Sequence, residues 1–142
     1  MSAVEVLLVE DNLADVLLLE EALTMTELAW HLHPVHDGHQ ALAFLGREDE
    51  FTEAPLPDLI LLDLNLPAMN GREVLEAITP DPRFAAIPLI IFTSSRGDRD
   101  LLRRFDLSPD CYVIKPNTFD DYIAILENME SVRLKGTCKN DA

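Results

Sequence analysis

The 142-residue chain predicts an α/β fold, a five-stranded parallel sheet with helices on both faces. Three observations carry this. Short apolar runs alternate with helical patterns five times along the chain. The third and fourth runs, "PDLILLD" (57–63) and "PLIIFT" (88–93), are apolar at consecutive positions, as strands covered on both faces require. No apolar run approaches the roughly 18 residues of a membrane helix, and a 48% apolar composition is that of a globular chain.

In order, "VEVLLV" (4–9) is a buried first strand. Helical spacing at Val16, Leu19, Ala22 and Leu23 follows, with Asn12 as its cap. "WHLHPVH" (30–36) alternates and carries a proline, which marks an outer strand. "DGHQALAFLG" opens a second helix that Gly46 is expected to end. After the third strand, Gly71 to Ile78 forms a short helix. "GDRDLLRRFDL" is read as the fourth helix, with Leu101, Leu102 and Phe105 inward. "CYVIK" (111–115) is the fifth strand, and "TFDDYIAILENME" the last helix, capped by Thr118. A single domain over residues 1–131 is expected, with 132–142 as a short tail.

Charge narrows the function. Asp and Glu number 26 against 11 Lys and Arg, a net −15, which repels nucleic acid. The N-terminus has no basic region before its apolar run and reads as no secretory signal. Cys111 and Cys138 are read as reduced thiols of a cytoplasmic protein, with no membrane among its partners.

In an open parallel sheet, ligands bind beyond the carboxyl ends of the strands. Those ends carry Glu10 and Asp11, then Asp63, then Thr93 and Ser94, then Lys115 followed by Pro116. Carboxylates crowded on one rim repel each other, and a hard divalent cation such as Mg2+ relieves this with oxygen ligands. An acceptor carboxylate, a cation site, an ammonium and a hydroxyl together suit phosphoryl transfer onto Asp63, which depends on positioning and charge neutralisation.

"LLVEDN" (7–12), "DLILLDLNLPAMNG" (58–71), "FTS" (92–94) and "YVIKP" (112–116) resemble the receiver domain of two-component response regulators. Thirty residues separate Asp63 from Thr93, and 22 separate Thr93 from Lys115, as in receivers. The resemblance covers about residues 4 to 130 and implies a flavodoxin-like, doubly wound (βα)5 fold of strand order 2-1-3-4-5. It implies Asp63 as phosphoacceptor, and Mg2+ (or Mn2+) held by Glu10, Asp11, Asp63 and the main-chain carbonyl of Asn65. Thr93, Ser94 and Lys115 would meet the phosphoryl group, and Tyr112 would be the switching aromatic. The Lys115–Pro116 peptide would be cis, while Asn65 and Ser95 would tune the lifetime of the phosphoryl group. Pro67 and Gly71 would shape the loop after Asp63, Gly71 by adopting a backbone shape that other residues resist. Implied partners are a sensor histidine kinase, a histidine phosphotransfer protein and a second copy of the chain. The texture of the motifs is similar to that of the small receivers paired with phytochromes.

The same residues bear on other functions. A Mg2+-dependent phosphohydrolase working through an aspartyl phosphate would need an Asp two residues after Asp63, where Asn65 stands. A pseudo-receiver would have lost one of the key positions. A flavodoxin-type cofactor binder would need a phosphate cradle where "VEDNLAD" places acids. His31, His33, His36 and His39 are read as solvent-facing, without a zinc site, because no cysteine or carboxylate pattern supports one. Leu17 or Leu18 is expected to be partly exposed, either at the edge of a wide buried face or as a kinase-docking patch. Arg96, Arg99, Arg103 and Arg104 read as a solvated face or as partners for Asp120, Asp121 or Glu127 of a second copy, with Ile125 and Val132 leaving apolar surface there.

Overall fold

The computed structural model describes residues 3–136. Five parallel strands form one sheet: β1 (Val4–Val9), β2 (Trp30–Val35), β3 (Leu59–Leu62), β4 (Leu89–Thr93) and β5 (Tyr112–Ile114). Their order is 2-1-3-4-5, as the resemblance implies. The helices are α1 (Leu13–Thr24), α2 (Gly38–Gly46), α3 (Gly71–Ile78), α4 (Asp100–Arg104) and α5 (Phe119–Lys135).

The period-2 alternation of a strand sorts the core into two layers. Leu7 and Val9, Ile60 and Leu62, and Leu89 and Ile91 face α2, α3 and α4, where Phe44, Val74, Leu75 and Leu101 complete one cluster. Val6 and Leu8, Leu59 and Leu61, and Ile90 and Phe92 face α1 and α5, against Val16, Leu19, Leu126 and Met129. Both faces of the central strands are therefore apolar, which is why no alternation showed in their sequence. Leu17 and Leu18 stay exposed on α1, as does Leu13.

The expected caps are present. Asn12 accepts from the Asp15 N–H (3.3 Å) and Thr118 from the Asp121 N–H (3.2 Å). Asn70 and Glu73 form a capping box that starts α3.

Several expectations require correction. Gly46 does not supply the left-handed end of α2: Arg47 does, at φ 55°, while the Glu48 N–H donates to the Ala43 carbonyl and closes the turn. A β-carbon costs energy in that conformation. Arg47→Gly is therefore expected to leave stability unchanged or raise it by up to about 1 kcal/mol in urea unfolding. Destabilisation would contradict the assignment.

The fourth helix is shorter than its sequence suggested. Asp106 takes φ 55° and the Leu107 N–H donates to the Leu102 carbonyl, which ends the helix at Arg104. At its start, the Asp98 carboxylate receives the Ser95 hydroxyl and pairs with Arg72, holding the preceding loop outside the helix.

The last helix runs past residue 131 to Lys135. Val132 is buried against the second core cluster and offers no surface to a partner, while Ile125 is half-buried. Within the chain, Arg104 pairs with Glu76 at 3.0 Å, and Arg99 lies over the Tyr112 ring. Cys111 is fully buried in a 3₁₀ turn just before β5, not within the strand. Cys138 lies outside the described residues.

Among the described residues there is no cis peptide, so the Lys115–Pro116 bond is trans. Trans is the intrinsically preferred isomer by roughly 0.5–1 kcal/mol, and the Lys115 ammonium meets its carboxylates without the other form. No helix among the described residues is long and apolar enough to cross a membrane.

Candidate functional site

Register delivers the site. β1 pairs with β3 through Val9 and Leu62, so Glu10 and Asp63 leave adjacent strands side by side. The Asp63 N–H donates to the Val9 carbonyl at 3.0 Å and the Lys115 N–H to the Thr93 carbonyl at 2.9 Å. Four separated segments thus end on one rim, at the point where the chain passes from one side of β1 to the other.

The centre of this rim is an ammonium among carboxylates. Lys115 Nζ lies 2.5 Å from Glu10 Oε1, 2.7 Å from Asp15 Oδ2 and 2.9 Å from Asp63 Oδ2. Glu10, Asp63 and the Lys115 side chain are each less than a tenth exposed. Asp11 is exposed and brings a third carboxylate oxygen within 4.8 Å of those of Glu10 and Asp63. Backbone groups fix the acids: the Asn12 N–H donates to Glu10 Oε2 (3.1 Å) and the Asn65 N–H to Asp63 Oδ1 (3.1 Å).

Thr93 closes β4 fully buried, and its hydroxyl accepts from the Ser95 N–H at 3.2 Å. Ser94 is exposed beside it. Tyr112 is buried, with its hydroxyl donating to the Ser95 carbonyl at 2.6 Å. Of the residues expected at the site, Glu10, Asp11, Asp63 and Lys115 converge, and Thr93, Ser95 and Tyr112 form a linked second group. Pro116 follows Lys115 off the strand.

Electrostatics follow from burial. Removal from water, joined by the Asp63 charge, pushes the Glu10 carboxyl up to about 7 against the pull of Lys115. Burial works against the Lys115 ammonium, but the hydrogen bonds to Asp15, Glu10 and Asp63 outweigh it and raise its pKa. One fixed positive charge among four acids leaves the pocket short of cations. Three convergent oxygens, two of them on buried side chains, fit a hard divalent ion.

The sign of the pH effect is determined by Glu10. Its native pKa lies above its ordinary 4.5, so the folded chain holds a proton that the unfolded chain has lost. Metal-free stability is expected to fall as pH rises from about 4.5 to about 7. Urea unfolding across that window should show the slope for wild type and a flatter profile for Glu10→Gln.

Gly71 acts differently from its sequence reading. Its φ is ordinary, but a β-carbon there would stand 2.4 Å from the Asp63 carbonyl oxygen and 2.7 Å from Leu64 Cα. Close approach, not backbone shape, demands glycine. The left-handed residue of this loop is Ala68, at φ 57°. Sequence reasoning placed Asp15 only among the acids of "VEDNLAD" and gave it no role at the site. It lies in the first turn of α1, and only the fold brings it to a lysine 100 residues away.

The family model of the response regulator receiver domain matches residues 6–127. The chain belongs to the response regulator receiver family. This receiver is 38% identical over 130 residues to response regulator Rcp1 of Synechocystis sp., covering 92% of this chain and 88% of that protein. Among solved structures, the phosphorylated cyanobacterial phytochrome response regulator RcpA superposes with TM-score 0.81 at 38% identity, covering 94% of this chain and 95% of that one. The Mn2+-bound form of Rcp1 superposes with TM-score 0.79 at 36% identity, covering 96% and 99%. A divalent cation thus occupies a close structural relative of the receiver.

Proposed function

We propose that this receiver accepts a phosphoryl group on Asp63 from a phosphohistidine of a sensor histidine kinase. An Asp63 carboxylate oxygen attacks phosphorus, the bond to the kinase imidazole breaks, and the imidazole departs with its electron pair. The observation that supports this best is the Lys115 ammonium, 2.9 Å from Asp63 and held in place by Glu10 and Asp15. It places fixed positive charge where the transferred oxygens would arrive.

Glu10, Asp11, Asp63 and the Asn65 main-chain carbonyl would hold Mg2+, for which Mn2+ can substitute. Bound there, the cation neutralises the acids and the incoming phosphoryl charge. Thr93 and Ser94 meet the phosphoryl oxygens. A phosphoryl group adds roughly −1.5 to −2 charge. Thr93 drawn toward it pulls on the Ser95 N–H, and Ser95 carries the Tyr112 hydroxyl, so the switch reaches the surface of α4, β5 and α5. Asn65 and Ser95 flank the path of attacking water and tune slow autodephosphorylation.

The exposed Leu13, Leu17 and Leu18 of α1 supply apolar surface for kinase helices. The likeness to phytochrome response regulators supports a phytochrome as the kinase. A histidine phosphotransfer protein and a second copy of the chain are the further partners. The setting is the cytoplasm, and signalling proceeds through shape rather than turnover.

Incubation with Mg2+ and acetyl phosphate, followed by intact mass, tests the reading. Wild type should gain one phosphoryl unit and Asp63→Asn none. A wild type that gains nothing, or a variant that gains as much, would refute it.

A further inference from the structure

The opposite end of β1 carries a second convergence of donor atoms. Glu5 pairs in register with His31 on β2, and His33 lies two residues further on the same face. Glu5 Oε2 lies 3.1 Å from His31 Nδ1 and 2.6 Å from His33 Nε2. The donor atoms of all three lie within 4.8 Å of one another. This corrects the reading that no carboxylate pattern supports a metal at these histidines, and His33 is half-buried rather than solvent-facing. Sequence spacing could not show it, because parallel pairing joins Glu5 to residues 26 and 28 positions away.

We propose that Glu5, His31 and His33 form a second metal site, for a borderline divalent ion such as Zn2+. Two imidazoles and one carboxylate are a known zinc ligand set, and zinc bonds of about 2.0–2.1 Å place tetrahedral ligand atoms about 3.3 Å apart. The His31 separation of 3.1 Å lies near that value, while the 2.6 Å hydrogen bond between His33 and Glu5 would open by about 0.7 Å to admit the ion. His33 is pinned by ring packing against Phe44 (centroids 5.3 Å apart), while His31 is exposed and leaves a side open for water as fourth ligand. Glu50 and Glu53 line the cleft beside His33 and add negative potential.

The donor chemistry separates this site from the Asp63 rim. Nitrogen ligands select a borderline ion, whereas the all-oxygen rim selects a hard one. Five residues of strand from Glu5 to Glu10 span about 16 Å, so the two sites are independent and this proposal does not rest on the phosphotransfer reading.

The test titrates the full chain with Zn2+ by calorimetry in millimolar Mg2+, which saturates the acidic rim. Wild type should bind one Zn2+, and Co2+ in its place should give the visible absorption of tetrahedral nitrogen–oxygen coordination. Loss of an outer-shell partner costs metal sites about 10–100-fold, and loss of a ligand should exceed this. His31→Ala, an exposed change that leaves the core intact, and Glu5→Gln should therefore each weaken uptake by more than about 100-fold. Both should retain Mg2+-dependent phosphorylation, and Asp63→Asn should retain Zn2+ uptake. Absence of uptake, uptake indifferent to His31→Ala and His33→Ala, or uptake lost in Asp63→Asn would each overturn the proposal.

Discussion

Replacement of Lys115 by methionine is expected to destabilise the metal-free protein by about 3–5 kcal/mol near neutral pH, the usual cost of removing one partner from a buried ion cluster. Methionine retains most of the stem volume, so packing changes little. What disappears is the ammonium that contacts Glu10, Asp15 and Asp63. Those carboxylates, with Asp11 nearby, would then face one another without an internal cation. Two further results should accompany the loss. Mg2+ should stabilise the variant more than wild type, because the cation would be the sole neutralising charge. Acetyl phosphate should no longer phosphorylate Asp63 at an appreciable rate. Urea unfolding with and without Mg2+ measures the first two. A variant within about 1 kcal/mol of wild type in both buffers would show that the ammonium does not hold the acids together.

Gly71→Ala should cost about 2–3 kcal/mol, in the range of overpacking a tight contact. The new methyl would collide with the Asp63 carbonyl and Leu64 Cα, both main-chain atoms that cannot rotate away. The strain falls on the peptide that carries the Asp63 side chain, so Mg2+ affinity and phosphorylation should drop with stability. The neighbouring contact leaves no slack, since the Gly38 N–H donates to the Met69 carbonyl at 2.9 Å and pins the same loop from α2. Thermal unfolding and Mg2+ titration of the variant check both effects. A wild-type melting temperature would mean that the loop can yield at Gly71.

Much of this is legible in the sequence. Consecutive apolar residues in "LILL" and "LIIF" required a sheet covered on both faces, because every second side chain would otherwise meet water. A carboxylate after such a run required a site at the strand end. Asn12 and Thr118 announced their caps because capping is a contact between residues three apart.

Less legible were features governed by space rather than spacing. Arg47 and Asp106 adopt left-handed backbone without being glycine, since helix ends are placed by packing as well as by preference. Val132 lies off the inward stripe of its helix yet is core, because α5 continues into a second cluster that no local pattern displays. Neither Asp15 nor Glu5 stood out by spacing as a partner of a remote residue.

The sequence alone determined the order of elements, the doubly covered sheet and the rim on which Glu10, Asp11, Asp63 and Lys115 meet and at which Thr93 ends its strand. Those follow from local periodicity and from the rule that parallel strands end on one edge. Only the tertiary structure decided that Asp15 joins Lys115, that Glu5 lies between two histidines, and that Gly71 is required by crowding. Such contacts depend on register and interatomic distance between segments remote in the chain, and no local pattern of residues encodes them.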